Sequence, residues 1–297
     1  MSKSTFVISL TPFTEAGALD EEGLRGHFGR LRDAGIGVYV AGSGSGEGYS
    51  LNADEQQRVL RIAGEELSGK VPVRGMGVEP RGAQEMIAFG RAVEQAGLDA
   101  MQVYSLDIGH GVSPTPRELE LYLDEVLTSV EVPAVISTHH NVGYTVPLDV
   151  LDRMAARHEH LIGINCTVPG LPYVSKLVDL FAGRLELHVG GPSQALTILA
   201  LGGNGYCCSE GNLAPKLCVS VTDLYEAGDY AAAHEAFARV IRLFAVNRYG
   251  SIRGIKMALQ LLGLPGGYPR LPRLPVTGEE RDEIARWLDE LQISELG

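Results

Sequence analysis

Leu161-Ile162-Gly163-Ile164-Asn165-Cys166-Thr167 is an apolar, partly β-branched stretch that ends in small polar side chains. Such a run predicts a buried strand, and its polar end predicts that the strand opens into a site. In a parallel barrel the carboxyl ends of the strands carry the active site. The stretch therefore indicates both the kind of sheet and the end of it at which functional residues lie.

Similar apolar runs alternate with helix-like segments on both sides of this stretch. They are Thr5–Leu10, Val38–Ala41, Val71–Gly75, Ala100–Tyr104, Ala134–Thr138, Leu185–Val189 and Gly205–Cys208, with Leu161–Asn165 as the sixth in chain order. Strands that are apolar on both faces favour a parallel sheet. Eight strand–helix units that close on themselves predict an α/β fold of the (β/α)8 TIM-barrel type. An open doubly wound sheet is the alternative, but no G-x-G-x-x-G follows the first strand.

Residues with capping chemistry mark the helices between the strands. Asp20 predicts the start of a helix that ends at Gly35. Asn52 and Glu55 have the spacing of a capping box. A proline in the first turn predicts two further helix starts, at Pro116 and Pro147.

After the eighth strand the chain reads as helices without strands between them. The predicted helices are Pro215–Ala227, Ala231–Val246, Ser251–Leu262 and Gly278–Leu291, and the Gly- and Pro-rich segment Gly263–Val276 connects the last two. We therefore expect a barrel over residues 1–228 and a C-terminal helical extension over residues 229–297 that packs on it.

Composition and charge restrict the class of protein. Of 297 residues, 45% are hydrophobic and 21% are charged, as in ordinary globular proteins. A formal net charge of -12 disfavours nucleic acid and anionic membranes as partners. The apolar runs are too short to span a bilayer, and the N-terminus does not lead into an apolar signal region. We expect a cytoplasmic protein whose four cysteines are buried free thiols.

Six short motifs recur in the order and at the spacing of one known family. They are Thr11-Pro12-Phe13, Ser43-Gly44-Ser45-Gly46-Glu47, Gly202-Gly203-Asn204-Gly205, Asn212-Leu213-Ala214-Pro215, Lys256-Met257-Ala258 and Leu271-Pro272-Arg273-Leu274-Pro275. Together they cover almost the whole chain, which resembles the dihydrodipicolinate synthase/N-acetylneuraminate lyase family. The resemblance implies a barrel enzyme that acts on 2-oxo acids and assembles as a homotetramer or homodimer.

The chain departs from this family where the chemistry is expected. The family's Ile-Gly-Ile-Lys carries a lysine that forms a Schiff base, and here that position is Asn165. None of the five lysines is well placed to replace it, and an amide is not nucleophilic. The family's Tyr-Asn-x-Pro reads His140-Asn141-Val142-Gly143, and its tyrosine pair after strand four is absent. We therefore expect chemistry without a lysine Schiff base.

Two residues are the candidate catalytic groups. Alternation allows only one of His139 and His140 to face the barrel, and alignment with the family tyrosine favours His140 as a general acid/base. Asn165 is expected to hydrogen-bond a substrate carbonyl or oxyanion, although a non-catalytic filler remains the alternative.

Further candidates are expected to bind the substrate. The N–H groups and hydroxyls of Ser43, Gly44 and Ser45 suit a carboxylate, which is what the resemblance implies for this loop. Glu47 closes the same loop, His110 follows strand four, and His188 and Gly190 end strand seven.

The hypothesis from the sequence is a lyase-like enzyme, of aldolase or hydratase/dehydratase type, acting on a small 2-oxo acid or related carboxylate by non-covalent acid/base catalysis. The alternatives are an inactive carboxylate-binding or regulatory homologue and a metal-dependent aldolase that uses His140 and His188. No cofactor and no metal are expected under the first hypothesis.

Overall fold

The computed structural model describes residues 2–244, 246 and 251–292. Eight parallel strands form a closed barrel in the order β1 to β8, each paired with its neighbours in the sequence and β8 with β1. The strands are β1 (Ser4–Ile8), β2 (Gly37–Val40), β3 (Val73–Gly75), β4 (Ala100–Val103), β5 (Ala134–Ser137), β6 (Leu161–Cys166), β7 (Glu186–Gly190) and β8 (Gly205–Cys208). The prediction of a (β/α)8 barrel is confirmed.

Helices follow the strands and surround the barrel. They are α1 (Glu21–Asp33), α2 (Ala53–Leu67), α3 (Ala83–Gln95), α4 (Pro116–Ser129), α5 (Leu148–Arg157), α6 (Leu171–Phe181), α7 (Ala195–Leu201) and α8 (Pro215–Glu226), then α9 (Tyr230–Leu243), α10 (Ile252–Leu261) and α11 (Glu279–Leu291). Among the described helices, none is both long enough and apolar enough to span a bilayer.

Helix caps agree with the capping residues read from the sequence. The Asp20 side chain accepts a hydrogen bond from the Gly23 N–H at 2.9 Å, and Asn52 and Glu55 form the expected capping box. A second capping box, between Thr115 and Glu118, opens α4 ahead of its proline. Each cap satisfies N–H groups that a helix cannot bond internally.

Strand ends differ from the sequence prediction by one or two residues, for reasons visible in the hydrogen bonds. The third strand starts at Val73 because the N–H of Val71 still bonds the Leu67 carbonyl of α2 and Pro72 has no N–H to donate. The first strand ends before Leu10, whose N–H bonds the Asn212 side chain at 2.9 Å.

A polar cluster fills the amino-terminal end of the barrel interior. The Arg74 guanidinium bonds the Glu186 carboxylate at 2.6 Å and lies 4.4 Å from the centre of the Phe6 ring. His188 contacts the same phenylalanine edge-on and bonds the Ser4 hydroxyl at 2.8 Å. These side chains fill this end, so the open cavity lies at the other end of the barrel, where the strands end.

The C-terminal extension is bonded to the barrel through two cations. Lys256 of α10 is fully buried and bonds the Glu47 carboxylate and the carbonyl of Thr11. Arg270 forms two bonds to Glu55, at 2.7 and 2.8 Å. The helix predicted over Ala231–Val246 ends at Leu243 in the structure, and its residue 245, like residues 293–297 of the predicted extension, lies outside the described residues.

Candidate active site

A cavity of about 370 Å³ opens at the carboxyl ends of the strands. Residues near the carboxyl ends of β1, β4, β5, β6, β7 and β8 line it, together with the loops that follow the strands. Its polar lining includes Ser43, Glu79, Gln102, Tyr104, Ser137, His139, Asn141, Asn165, Thr167, Ser209 and Glu210. This is the end of the barrel at which the sequence placed the site.

Asn165 lies at the floor of the cavity and is bonded to a second amide. Its Nδ2 donates to the Oε1 of Gln102 at 2.8 Å, and both side chains are almost fully buried. The Oδ1 of Asn165 is buried without a hydrogen-bond partner among the described residues. A buried acceptor without a partner costs about 1–3 kcal/mol, so the position favours a bound group that donates a hydrogen bond.

A histidine–carboxylate pair faces this floor. The Nε2 of His139 lies 3.1 Å from the Oε1 of Glu79, whose other oxygen accepts a bond from the Ser43 hydroxyl at 2.7 Å. Burial by itself raises the pKa of Glu79, but the bonds from His139 and Ser43 outweigh it and hold that pKa below its usual value. The carboxylate therefore remains charged and orients the imidazole, an arrangement suited to general acid/base catalysis.

The histidine that lines the cavity is His139 and not the predicted His140. His140 begins a short 3₁₀ turn, is absent from the cavity lining, and has a buried Nδ1 without a partner among the described residues. Strand alternation from Ser137, which faces the cavity, places His139 on the same side. Alignment with the family tyrosine predicts His140, whereas the strand period counted from Ser137 favours His139.

The loop after β2 contributes polar groups to one wall. Ser43 and Gly44 line the cavity, and the hydroxyl of Ser45 donates to the Ser209 hydroxyl at 2.6 Å. Across the described residues, the N–H groups of Gly44 and Ser45 have no hydrogen-bond acceptor. Such N–H groups suit a small anion, which is the ligand that the sequence predicts for this loop.

Glu47 is directed away from the cavity. Its side chain is fully buried and is bonded to Lys256 and to the N–H of Arg270. Burial lowers the pKa of Lys256 to about 8, against the opposing charge of Glu47. Both groups join the loop to the C-terminal extension, so the structure gives Glu47 no contact with a substrate.

His188 also lies away from the cavity, at the filled end of the barrel. Burial, with a contribution from the Arg74 charge, lowers the pKa of His188 to about 3 and keeps it neutral. His140 and His188 are thus not brought together. Among residues 2–244, 246 and 251–292, no group of three or more His, Cys, Asp or Glu side chains is arranged to hold a metal.

Gly190 and His110 complete the set of candidates. Gly190 lines the cavity, and a Cβ at this position would meet Thr167 Cγ2 at 2.2 Å, so only glycine fits. His110 has a φ of 53° in the loop after β4 and does not line the cavity.

Among the cavity residues missing from the candidates are Glu79, Gln102 and Glu210, the three that carry the most useful side chains. Gln102 is the one polar residue of β4, between Met101 and Val103, and Glu79 follows β3 by a few residues. A polar residue in an otherwise apolar strand was the available signal for Gln102, because buried polar groups require partners.

The fold and the cavity define a (β/α)8-barrel protein with a candidate active site at the carboxyl ends of its strands. The family model for the dihydrodipicolinate synthetase family matches residues 1–291. An uncharacterized DapA-like lyase from Thermofilum pendens is 28% identical over 289 residues, with 95% of both chains covered. A 4-hydroxy-tetrahydrodipicolinate synthase from Methanopyrus kandleri is 28% identical over 282 residues, with 93% of this chain and 92% of that protein covered.

Solved structures have the same fold. YagE of E. coli K12, a prophage protein of the dihydrodipicolinic acid synthase family in complex with pyruvate, superposes with a TM-score of 0.90 at 23% identity and covers 98% of this chain and 99% of that one. CdNal from Clostridium difficile, in complex with mannosamine, gives a TM-score of 0.88 at 21% identity, with 97% and 99% covered. The chain belongs to the dihydrodipicolinate synthetase family.

Proposed function

We propose that the protein is a lyase that acts on a small 2-oxo acid or related carboxylate by non-covalent acid/base catalysis, without a lysine Schiff base. One observation carries the proposal: Asn165, at the position of the family lysine, faces the cavity and is bonded to Gln102. An amide can stabilise a developing oxyanion, but it cannot form an imine with a ketone.

The lysines support the proposal because none of the five lines the cavity. Lys3 bonds the Gly203 carbonyl at 2.6 Å, near the amino-terminal end of the barrel. Lys256 is fully buried, and its ammonium bonds Glu47 and the carbonyls of Thr11 and Tyr268. An ammonium with three acceptors is held away from any ketone in the cavity.

Each polar group of the cavity has its own role in the proposed reaction. His139, oriented by Glu79, removes a proton from the carbon beside the substrate ketone. The N–H of Asn165 that Gln102 does not accept and the N–H groups of Gln102 stabilise the resulting oxyanion, while the Oδ1 of Asn165 accepts a hydrogen bond from a donor on the substrate. The N–H groups of Gly44 and Ser45 bind the carboxylate. The role of general base thus falls on His139, which faces the cavity, and His140 has no part in it.

The test is reductive trapping. The wild-type protein is incubated with pyruvate and borohydride, and its intact mass is measured. We expect no adduct, whereas Asn165→Lys, which restores the family residue in the cavity, is expected to gain one pyruvate-derived group. A stable adduct on the wild-type chain would end the proposal of non-covalent catalysis.

Turnover separates an enzyme from an inactive binding homologue. The wild-type protein is incubated with 2-oxo acids in D2O, and hydrogen exchange beside the ketone is followed by NMR. We expect exchange that His139→Ala abolishes. Binding of a 2-oxo acid without exchange or turnover would favour the inactive homologue.

A further inference from the structure

Glu210 is a buried carboxyl group in the cavity for which the proposed function has no use. It follows β8, lines the same cavity as Asn165 and His139, and is 2% exposed. Its Oε2 accepts a hydrogen bond from the Ser209 N–H at 3.1 Å. A carboxyl group in such a position requires a cation, a ligand or a proton.

No cation compensates Glu210 within the described part of the chain. It forms no ion pair there, and the cavity lining contains neither lysine nor arginine. The Glu210 charge acts on the Tyr206 phenol and on the thiols of Cys207 and Cys208, for which burial raises the pKa and favours the neutral form.

The elements that pack against the short turn Glu210–Asn212 also supply no charge that compensates the Glu210 carboxyl group. Arg30 of α1 bonds the carbonyls of Asn212 and Leu213, and His27 bonds the Asn212 side chain. Burial lowers the pKa of His27 to about 3, so this histidine is neutral. Burial likewise raises the pKa of Glu210 to about 7.

Glu79 and Glu210 therefore differ in protonation within one cavity. Glu79 is charged and bonded to His139, whereas a pKa of about 7 leaves Glu210 protonated in about half of the molecules at neutral pH. The closed barrel places β8 opposite β4, and β3 and β5, which precede Glu79 and His139, flank β4. When the pKa values of two titratable groups in one cavity are shifted in opposite directions, the two groups are suited to act as the acid and the base.

We propose that Glu210 is the general acid of this site and protonates an oxygen leaving group, so that the enzyme cleaves a carbon–oxygen bond. This inference rests on the proposed function and narrows it from lyases in general to the dehydratase type. A retro-aldol cleavage needs a base at a hydroxyl group, and a proton donor across the cavity from that base is not required for it.

The step balances for a 2-oxo acid with a hydroxyl group on the second carbon from the ketone. His139 takes a proton from the carbon beside the ketone, and the electron pair forms the enolate that Asn165 stabilises. The enolate then forms the carbon–carbon double bond as the carbon–oxygen bond breaks. The leaving hydroxide combines with the Glu210 proton as water, and solvent returns a proton from His139 to Glu210.

The probe is 4-hydroxy-2-oxobutanoate, which can undergo either reaction. Elimination releases water, whereas retro-aldol cleavage releases pyruvate and formaldehyde. We expect the wild-type protein to eliminate water and Glu210→Gln to do so at least about 100-fold more slowly, since an amide cannot supply the proton. Glu235→Gln, at an exposed position of α9, is the matched control and is expected to match the wild type.

A second probe separates proton donation from a structural role. In 4-fluoro-2-oxobutanoate the leaving group is fluoride, which departs without an acid, so Glu210→Gln is expected to lose far less activity on it. Equal losses on both probes would contradict the assignment, as would pyruvate and formaldehyde as the only wild-type products. Exchange beside the ketone, followed in D2O, tests the proposed function separately, and its absence from the wild type would overturn both.

Infrared difference spectra provide a readout that needs no turnover. The wild-type protein at pH 6 and pH 9 is compared with Glu210→Gln. A carbonyl band of a protonated carboxyl group that is present at pH 6 and missing from the variant is expected. Its absence from the wild type would overturn the proposal.

Discussion

The side-chain nitrogen of Asn165 lies 2.8 Å from the side-chain oxygen of Gln102, so an amide pair lies at the floor of the cavity. The two residues come from β6 and β4, which are separated by β5 in the barrel. The pair therefore spans the floor of the cavity and fixes the direction of both amides.

The amide pair is expected to contribute to stability. We predict that Asn165→Ala and Gln102→Ala each lower the free energy of unfolding, and that the double variant loses less than the sum of the two. The coupling expected for one buried hydrogen bond is about 0.5–1.5 kcal/mol. Urea unfolding of the four proteins measures it, and strict additivity would mean that the two amides do not interact.

The adjacent residues His139 and His140 provide a variant and its matched control for a measurement of activity. We predict that His139→Ala lowers any lyase or exchange activity by about 10²–10⁴-fold, the range typical of a general acid/base. His140→Ala, at a position outside the cavity, is expected to change it by much less. The reverse order of effects would restore the assignment that alignment with the family tyrosine suggests.

The buried ion pair of Glu47 and Lys256 is expected to be structural. Lys256→Met leaves the Glu47 carboxylate uncompensated, and we predict a loss of about 3–5 kcal/mol in the free energy of unfolding. The double variant Glu47→Gln, Lys256→Met carries no buried charge at these positions and is expected to recover part of that loss. Chemical denaturation measures both, and a larger loss in the double variant would contradict this explanation.

Stability is expected to fall in acid because of two neutral buried histidines. Burial, with nearby arginine charges, lowers the pKa of His27 and of His188 to about 3, compared with 6.5 in the unfolded chain. Between these values the unfolded chain binds more protons, so stability is full above 6.5 and is lost as the pH falls toward 3. Each histidine contributes a slope of about 1.4 kcal/mol per pH unit.

Glu210 has the opposite effect on the dependence of stability on pH. Burial raises its pKa from 4.5 to about 7, so the folded protein binds the extra proton and stability falls as the pH rises through this window. We expect His188→Gln to flatten the curve between pH 3 and 6.5, and Glu210→Gln to steepen it between pH 4.5 and 6.5. Urea unfolding measured from pH 4 to pH 8 checks both signs.

Local patterns in the sequence were sufficient to predict the barrel scaffold. The eight apolar runs, the Asp20 and Asn52 caps and the helical tail are set by residues close together in the chain, so their periodicity indicates the elements directly. The end of the barrel at which Asn165 lies is likewise readable from the sequence. These features do not depend on distant contacts.

Only the tertiary structure decided which side chains meet in the cavity. The register of β5 directs His139 inward and leaves His140 outside, and the pairing of Glu79 with His139 joins loops that are far apart in the sequence. Glu47 and Lys256, 209 residues apart, bond each other because the C-terminal extension folds back on the barrel. Side-chain direction and burial are set by such long-range packing, and the protonation of Glu210 and of His188 follows from it.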